Sequence, residues 1–119
     1  MSQRDDAVTL RQIAEAATKI RQWLRGVSPE DFYDNEFTQS AVMHQITIIG
    51  EAAGRLTPEF RTVHADLLPW AQMKAMRNIL IHGYDEVQIE RVWTVATDDL
   101  PKLALRLQDF LGREDDRER

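Results

Sequence analysis

The segment Arg77–Tyr84, which reads Arg-Asn-Ile-Leu-Ile-His-Gly-Tyr, holds more reactive side chains than the burial of a helix requires. A histidine titrates near neutral pH and can take up or release a proton during a reaction. An arginine stays protonated and offers a planar set of donors that fits phosphate oxygens. Arg77 and His82 could therefore combine proton transfer with phosphate binding. The alternative is a surface cap, since both side chains can bond the last carbonyls of a helix.

The spacing around this segment predicts a helix from about Pro69 to His82, ending at Gly83. The residues that recur at steps of three and four are Trp70, Met73, Arg77, Leu80 and Tyr84. Arg77 and His82 are then roughly 140° apart around the axis. They would form two walls of a groove, which suits a site completed by a second copy of the helix.

The rest of the chain shows the same apolar spacing and no alternating strand pattern. The predicted helices span about 5–25, 29–35, 38–56, 59–63 and 87–98, and a last apolar face continues to Gly112. Ser28-Pro29 and Thr57-Pro58 are typical helix starts. Pro101 predicts a break or kink before it. We therefore expect an all-α fold, an up-and-down bundle of four long helices with short extra helices.

Two apolar stripes are the predicted core. The first helix contributes Leu10, Ile13, Ala17, Ile20 and Leu24, and the long helix after it contributes Val42, Ile46, Ile49, Ala53 and Leu56. In the C-terminal part the inward residues are Ile89, Val92, Trp93, Ala96, Leu103, Leu107, Phe110 and Leu111. Residues 1–112 would form one helical domain, and the all-charged residues 113–119 a disordered tail.

Composition limits the possible functions. The 119 residues are 43% hydrophobic and 29% charged, as in a globular domain, with no cysteine for a disulfide or thiolate site. A net charge of −5 counts against a protein that coats nucleic acid. We expect a cytoplasmic protein, because neither a signal peptide nor an apolar run of ~20 residues is apparent. Three scattered histidines predict no metal site, and His44 and His64 are expected at the surface.

These residues resemble the HepT-like members of the HEPN superfamily. Their hallmark, arginine, four residues, histidine, any residue and tyrosine, stands here as Arg77-Asn-Ile-Leu-Ile-His82-Gly-Tyr84. The segment from Ile48 to Ala53, Ile-Ile-Gly-Glu-Ala-Ala, is similar to another family helix. The resemblance covers roughly residues 5–111. One departure is Asp85-Glu86, where many relatives carry Phe-Gly.

The resemblance implies a metal-independent endoribonuclease without a cofactor, the toxin of a type VII-like toxin–antitoxin pair. Family members work as homodimers in which two motifs face each other across a cleft, and higher assemblies remain open. The implied partner is a minimal nucleotidyltransferase antitoxin, which attaches AMP to the motif tyrosine, here Tyr84. Arg77 and His82 would be catalytic, and the 2′-hydroxyl of RNA would attack to leave a 2′,3′-cyclic phosphate.

Several roles stay open. Asn78 could bond His82 or a phosphate, or a helix-end carbonyl. Tyr84 could also contact RNA, or could be a half-buried packing residue. Glu51 could be a buried partner of Arg77, or could pair locally with Arg55 four residues on. The whole protein could instead be a non-catalytic helical module that binds a nucleotidyltransferase, which its acidity favours.

Overall fold

The computed structural model describes residues 3–67, Met73, Arg77 and residues 88–117. Within these ranges the chain is helical with no strand, so the all-α prediction is confirmed. Its helices are α1 (Gln3–Trp23), α2 (Pro29–Tyr33), α3 (Glu36–Arg55), α4 (Pro58–Val63), α5 (Ile89–Thr94) and α6 (Leu100–Arg117). Met73 and Arg77 are also helical. The remainder of the predicted motif helix, the fourth long one, lies outside the described residues.

Helix α1 lies between α3 and α6 and packs against both. All ten predicted stripe residues are buried, as expected for apolar faces that meet. Two of them, Leu24 and Leu56, directly follow α1 and α3. The C-terminal stripe is buried at Val92, Ala96, Leu103 and Leu107, whereas Ile89, Trp93, Phe110 and Leu111 are partly buried. Phe32 of α2 is also fully buried and lies 5.3 Å from Trp93 between ring centroids. The core therefore extends from the long helices to α2.

The short helices begin where the sequence predicts. The Ser28 hydroxyl accepts a hydrogen bond from the Asp31 amide at 3.1 Å. The Thr57 hydroxyl accepts one from the Phe60 amide at 3.2 Å. Each bond satisfies an amide that has no partner within the first helical turn.

A buried carboxylate ties the first turn of α1 to the start of α4. Asp6 accepts hydrogen bonds from the Thr57 amide at 2.9 Å and from the Thr57 hydroxyl at 2.7 Å. Both residues are buried. The chain between them contains nearly all of α1, α2 and α3, so this contact closes a long loop.

Pro101 does not interrupt the helical path. The predicted break is replaced by a π-helical turn, Val95–Asp99, which joins α5 to α6. The Leu100 amide donates to the Val95 carbonyl, five residues back. This wider turn accommodates a ring that clashes with the carbonyl four residues before it in a regular α-helix. Buried residues on both sides, including Val92 and Leu103, hold the two halves in register.

The last helix continues past the predicted domain end at Gly112 and reaches Arg117. Arg113 donates to Asp109 at 2.8 Å, a pairing one turn apart that supports a helix. The division into residues 1–112 and a tail of residues 113–119 stays a prediction. None of the described helices combines the length and apolar character needed to cross a lipid bilayer.

Candidate functional site

Arg77 lies directly on α3, against Gly50. A Cβ atom built on Gly50 would be 2.8 Å from Cβ of Arg77, 3.2 Å from its Cγ and 3.4 Å from its Cδ. Real Cβ atoms almost never approach another heavy atom within 3.0 Å. The aliphatic stem of Arg77 therefore fits against α3 only because Gly50 has no Cβ. Arg77 is thereby half-buried, with its aliphatic part packed on the α3 backbone.

The guanidinium of Arg77 extends toward Gly54, one helical turn further along α3. A Cβ on Gly54 would lie 3.8 Å from Nη1, an ordinary van der Waals distance. Met73, one turn before Arg77, is only 1% exposed and belongs to the hydrophobic core. Arg77 therefore lies one turn from the buried Met73, and its guanidinium points along α3 toward exposed Gly54.

The Nε atom of Arg77 is shielded from solvent and has no hydrogen-bond partner among the described residues. A buried donor without a partner is unfavourable. Among the described residues, the stem of Arg77 is therefore positioned by its packing against Gly50.

Glu51 is exposed, so the burial that would require it to pair with Arg77 is not observed. It lines an open groove of about 340 Å³ between α1 and α3, together with Gln12 and Arg55. The Arg55 guanidinium donates to the Gln12 side chain at 2.9 Å. A supporting role for Glu51 in the site stays a prediction, as does its local pairing with Arg55.

The other predicted site residues, Asn78, His82 and Tyr84, lie outside the described residues, and so do Asp85 and Glu86. Their roles stay predictions. In the described part of the chain no group of three or more histidine, aspartate or glutamate side chains is arranged to hold a metal ion.

The remaining histidines differ in their surroundings. His44 is exposed, as predicted. His64 is partly buried in an aromatic cluster, 4.5 Å from Phe60 and 4.9 Å from Phe110 between ring centroids. The prediction of a surface position for His64 is therefore only partly met, because the C-terminal end of α4 packs on α6. This cluster borders a groove of about 630 Å³ that is lined by charges of both signs.

Gly50 is the site residue that sequence reasoning did not single out. It entered only as part of the family-like segment Ile48–Ala53. A signal was present, because a glycine in the middle of a helix is less favourable than alanine by about 1 kcal/mol. A glycine at such a position, here Gly50, indicates a place where another segment approaches the α3 backbone closely.

The family model and the related proteins that match this chain point to the same family. A family model described as "Ribonuclease HepT-like" matches residues 13–110. The chain is 37% identical over 94 residues to "Probable ribonuclease HepT" of Thermococcus cleftensis, covering 79% of this chain and 84% of that protein. It is 32% identical over 103 residues to a "Putative RNase" of Methanocaldococcus jannaschii, covering 87% and 94%.

A second protein of Methanocaldococcus jannaschii, named "Gamma-glutamylcyclotransferase and putative RNase", is 36% identical over 100 residues. The match covers 84% of this chain but only 45% of that larger protein. No solved structure matches the chain.

Proposed function

Because the chain belongs to the ribonuclease HepT-like family, we propose that it is a metal-independent endoribonuclease whose catalytic residues are Arg77 and His82. The observation that carries this proposal is the family match over residues 13–110, which includes both side chains. The geometry of Arg77 adds support, since its stem is fixed on α3 while its guanidinium extends toward exposed Gly54.

The proposed reaction uses the nucleophile that RNA itself carries. The 2′-oxygen attacks the adjacent phosphorus and its proton passes to a general base. The bond from phosphorus to the 5′-oxygen breaks, and a general acid protonates that oxygen. The products are a 2′,3′-cyclic phosphate and a 5′-hydroxyl, and no water is consumed.

A homodimer would supply both proton-transfer groups. Each chain has one His82, and two facing copies of the motif would provide one base and one acid. The arginine guanidinium would bind the phosphate oxygens as negative charge develops on them. The proposed partners are therefore an RNA substrate and a second copy of this chain.

The first prediction tests catalysis. We expect His82→Ala and Arg77→Ala each to lower the cleavage rate by ~10²–10⁴-fold, because a positioned acid–base group or charge is lost. Cleavage of a labelled RNA is measured by gel, and circular dichroism checks that the variants are folded. Cleavage should persist in EDTA. Full activity in either variant, or loss of activity in EDTA alone, would contradict the mechanism.

We further propose that the protein is the toxin of a toxin–antitoxin pair, silenced at Tyr84 by a nucleotidyltransferase. In that step the tyrosine oxygen attacks the α-phosphorus of ATP, the phenol proton passes to a base, and pyrophosphate leaves. The attached AMP would place a phosphodiester charge and an adenine beside Arg77 and so exclude RNA.

The second prediction concerns this control. Incubation with a cognate nucleotidyltransferase, ATP and Mg²⁺ should add one or more AMP units to Tyr84 and stop cleavage, whereas Tyr84→Phe should stay unmodified. Intact mass and peptide mapping measure the modification. AMP mapped to Tyr33 would refute the assignment, and silencing without a mass change would indicate occlusion by tight binding.

The alternative is a non-catalytic helical module that binds a nucleotidyltransferase. The net charge of −5 favours it, since RNA is repelled by an acidic surface. The cleavage assay separates the two functions, because this alternative predicts partner binding with no cleavage by the parent protein.

A further inference from the structure

We infer that Gly50 of α3 is a positioning residue for Arg77, and that the proposed cleavage requires a hydrogen atom in place of a side chain at position 50. This inference rests on the proposed function for its catalytic consequence. Its structural part, the close approach of Arg77 to Gly50, rests on geometry alone.

The contact leaves no room for even one methyl group. The nearest atom to a Cβ on Gly50 is Cβ of Arg77 at 2.8 Å, and this atom is bonded directly to the backbone. Rotation of the arginine side chain therefore cannot relieve the overlap. Either α3 or the backbone that carries Arg77 has to move.

Gly54 provides a contrast on the same helix. The nearest atom to a Cβ there is Nη1 of Arg77 at 3.8 Å, the mobile end of a long side chain. An alanine at position 54 would make an ordinary contact, whereas an alanine at position 50 would displace the stem. The requirement for glycine is thus specific to one of two neighbouring glycines.

Displacement of Arg77 should affect the chemical step more than substrate binding. A catalytic group that is out of place by about 1 Å can lower a rate by ~10²-fold. The guanidinium interacts most strongly with the phosphate oxygens as negative charge develops on them, so its displacement weakens the transition state more than the bound ground state. Loss of the correct arginine position should therefore appear mainly in kcat.

The test compares Gly50→Ala with Gly54→Ala in the full-length protein. We expect Gly50→Ala to lower kcat by about 10–100-fold with little change in KM, and to lower Tm by several degrees. Gly54→Ala should retain the kcat of the parent, with an unchanged or higher Tm because alanine favours a helix. The kinetics are measured below both melting temperatures, with circular dichroism to confirm folding. Parental kcat in Gly50→Ala, or an equal loss in Gly54→Ala, would overturn the inference.

A double-mutant cycle shows whether Gly50 acts through Arg77. In an Arg77→Gly background the clashing atoms are absent, so Gly50→Ala should no longer lower Tm. If Arg77→Gly does not fold, Arg77→Ala replaces it and should relieve part of the loss, since Cγ and Cδ are removed. An undiminished loss of Tm in the Arg77→Gly background would overturn the inference.

The Tm cycle requires no RNA, so the two proposals can fail separately. If the parent protein cleaves no RNA but the Tm loss depends on Arg77, the contact stands and the ribonuclease proposal fails. If the parent cleaves RNA and Gly50→Ala cleaves equally well, the ribonuclease proposal stands and the positioning role fails.

Discussion

Gly26 and Gly112 adopt different backbone conformations. Gly26 follows α1 with a φ of +76°, in the left-handed region that side chains disfavour. Gly112 lies inside α6. Within the described part of the chain, a Cβ at either position would meet no atom within 4 Å apart from its own neighbours and helix backbone. The backbone conformation is therefore what distinguishes the two positions.

The third prediction follows from this difference. Gly26→Ala should lower the free energy of unfolding by about 1 kcal/mol, because a left-handed conformation is costly for a residue with a Cβ. Gly112→Ala should raise it by up to about 1 kcal/mol, because alanine is the better helix former. Urea denaturation measures both changes, and each variant serves as the control for the other. Equal effects with the same sign would contradict the argument.

At the residue scale, the sequence identifies candidate site residues that carry a functional group. It misses a residue whose role depends on the absence of a side chain. Arg77 stands out because of its charge and its spacing from His82, whereas Gly50 offers no functional group. Its role depends on a contact between residues that are far apart in the chain, which no local pattern contains. The sequence left Glu51 open between a buried partner of Arg77 and a local pair with Arg55, because apolar neighbours in sequence do not decide which face of a helix is covered.

At the scale of elements, one buried amide joins α2 to α3. The Gln39 side chain donates to the carbonyls of Phe32 and Tyr33, both at 2.9 Å. These carbonyls belong to the last turn of α2, where helix carbonyls lack partners within the helix. The first turn of α3 therefore caps the end of α2.

The fourth prediction tests this cap. Gln39→Ala should lower the free energy of unfolding by about 1–3 kcal/mol, because two hydrogen bonds between α2 and α3 are lost. The Phe32 carbonyl then keeps the Asn35 amide, at 3.2 Å, as a donor. Gln39→Glu should be at least as destabilising, since an ionised carboxylate has no donor to offer. Ser40→Ala, at an exposed neighbouring position of α3, is the control and should change stability by less than about 0.5 kcal/mol. Thermal or urea denaturation measures the stability of each variant. Equal stability of Gln39→Ala and Ser40→Ala would contradict the capping role.

Helix starts could be predicted where a local signal exists. Ser28-Pro29 and Thr57-Pro58 combine a capping side chain with a proline that suits the first turn. The apolar spacing predicts that α3 starts near Thr38, whereas the helix begins at Glu36. Asn35 caps it, because its side chain accepts a hydrogen bond from the Thr38 amide at 3.0 Å. The π-helical turn before Pro101 could not be predicted, because it depends on buried faces on both sides that a broken helix would misalign.

At the scale of the whole molecule, each chain carries a single His82. A cleavage reaction with separate acid and base then needs two chains, as the proposed homodimer provides. Mixed dimers that contain one His82→Ala chain would lack one of the two proton-transfer groups.

The fifth prediction uses such mixed dimers. His82→Ala chains that are unfolded and refolded together with parent chains should lower the activity below the fraction of parent chains present. Addition of His82→Ala protein without subunit exchange is the control and should leave parent activity unchanged. Cleavage rate is plotted against the parent fraction, and molar mass is measured by light scattering. A linear plot from a protein with the mass of one chain would refute the shared site.

The bonds from Thr57 to the buried Asp6 carboxylate join residues 51 positions apart. Opening of the first turn of α1 therefore removes the partner that holds the start of α4, although the two segments are distant in the chain. The amides of Thr57 and Phe60 at the start of α4 then become exposed to solvent in the same local unfolding event as the first turn of α1. The first turn of α1 thus sets the local stability of a segment in the middle of the chain.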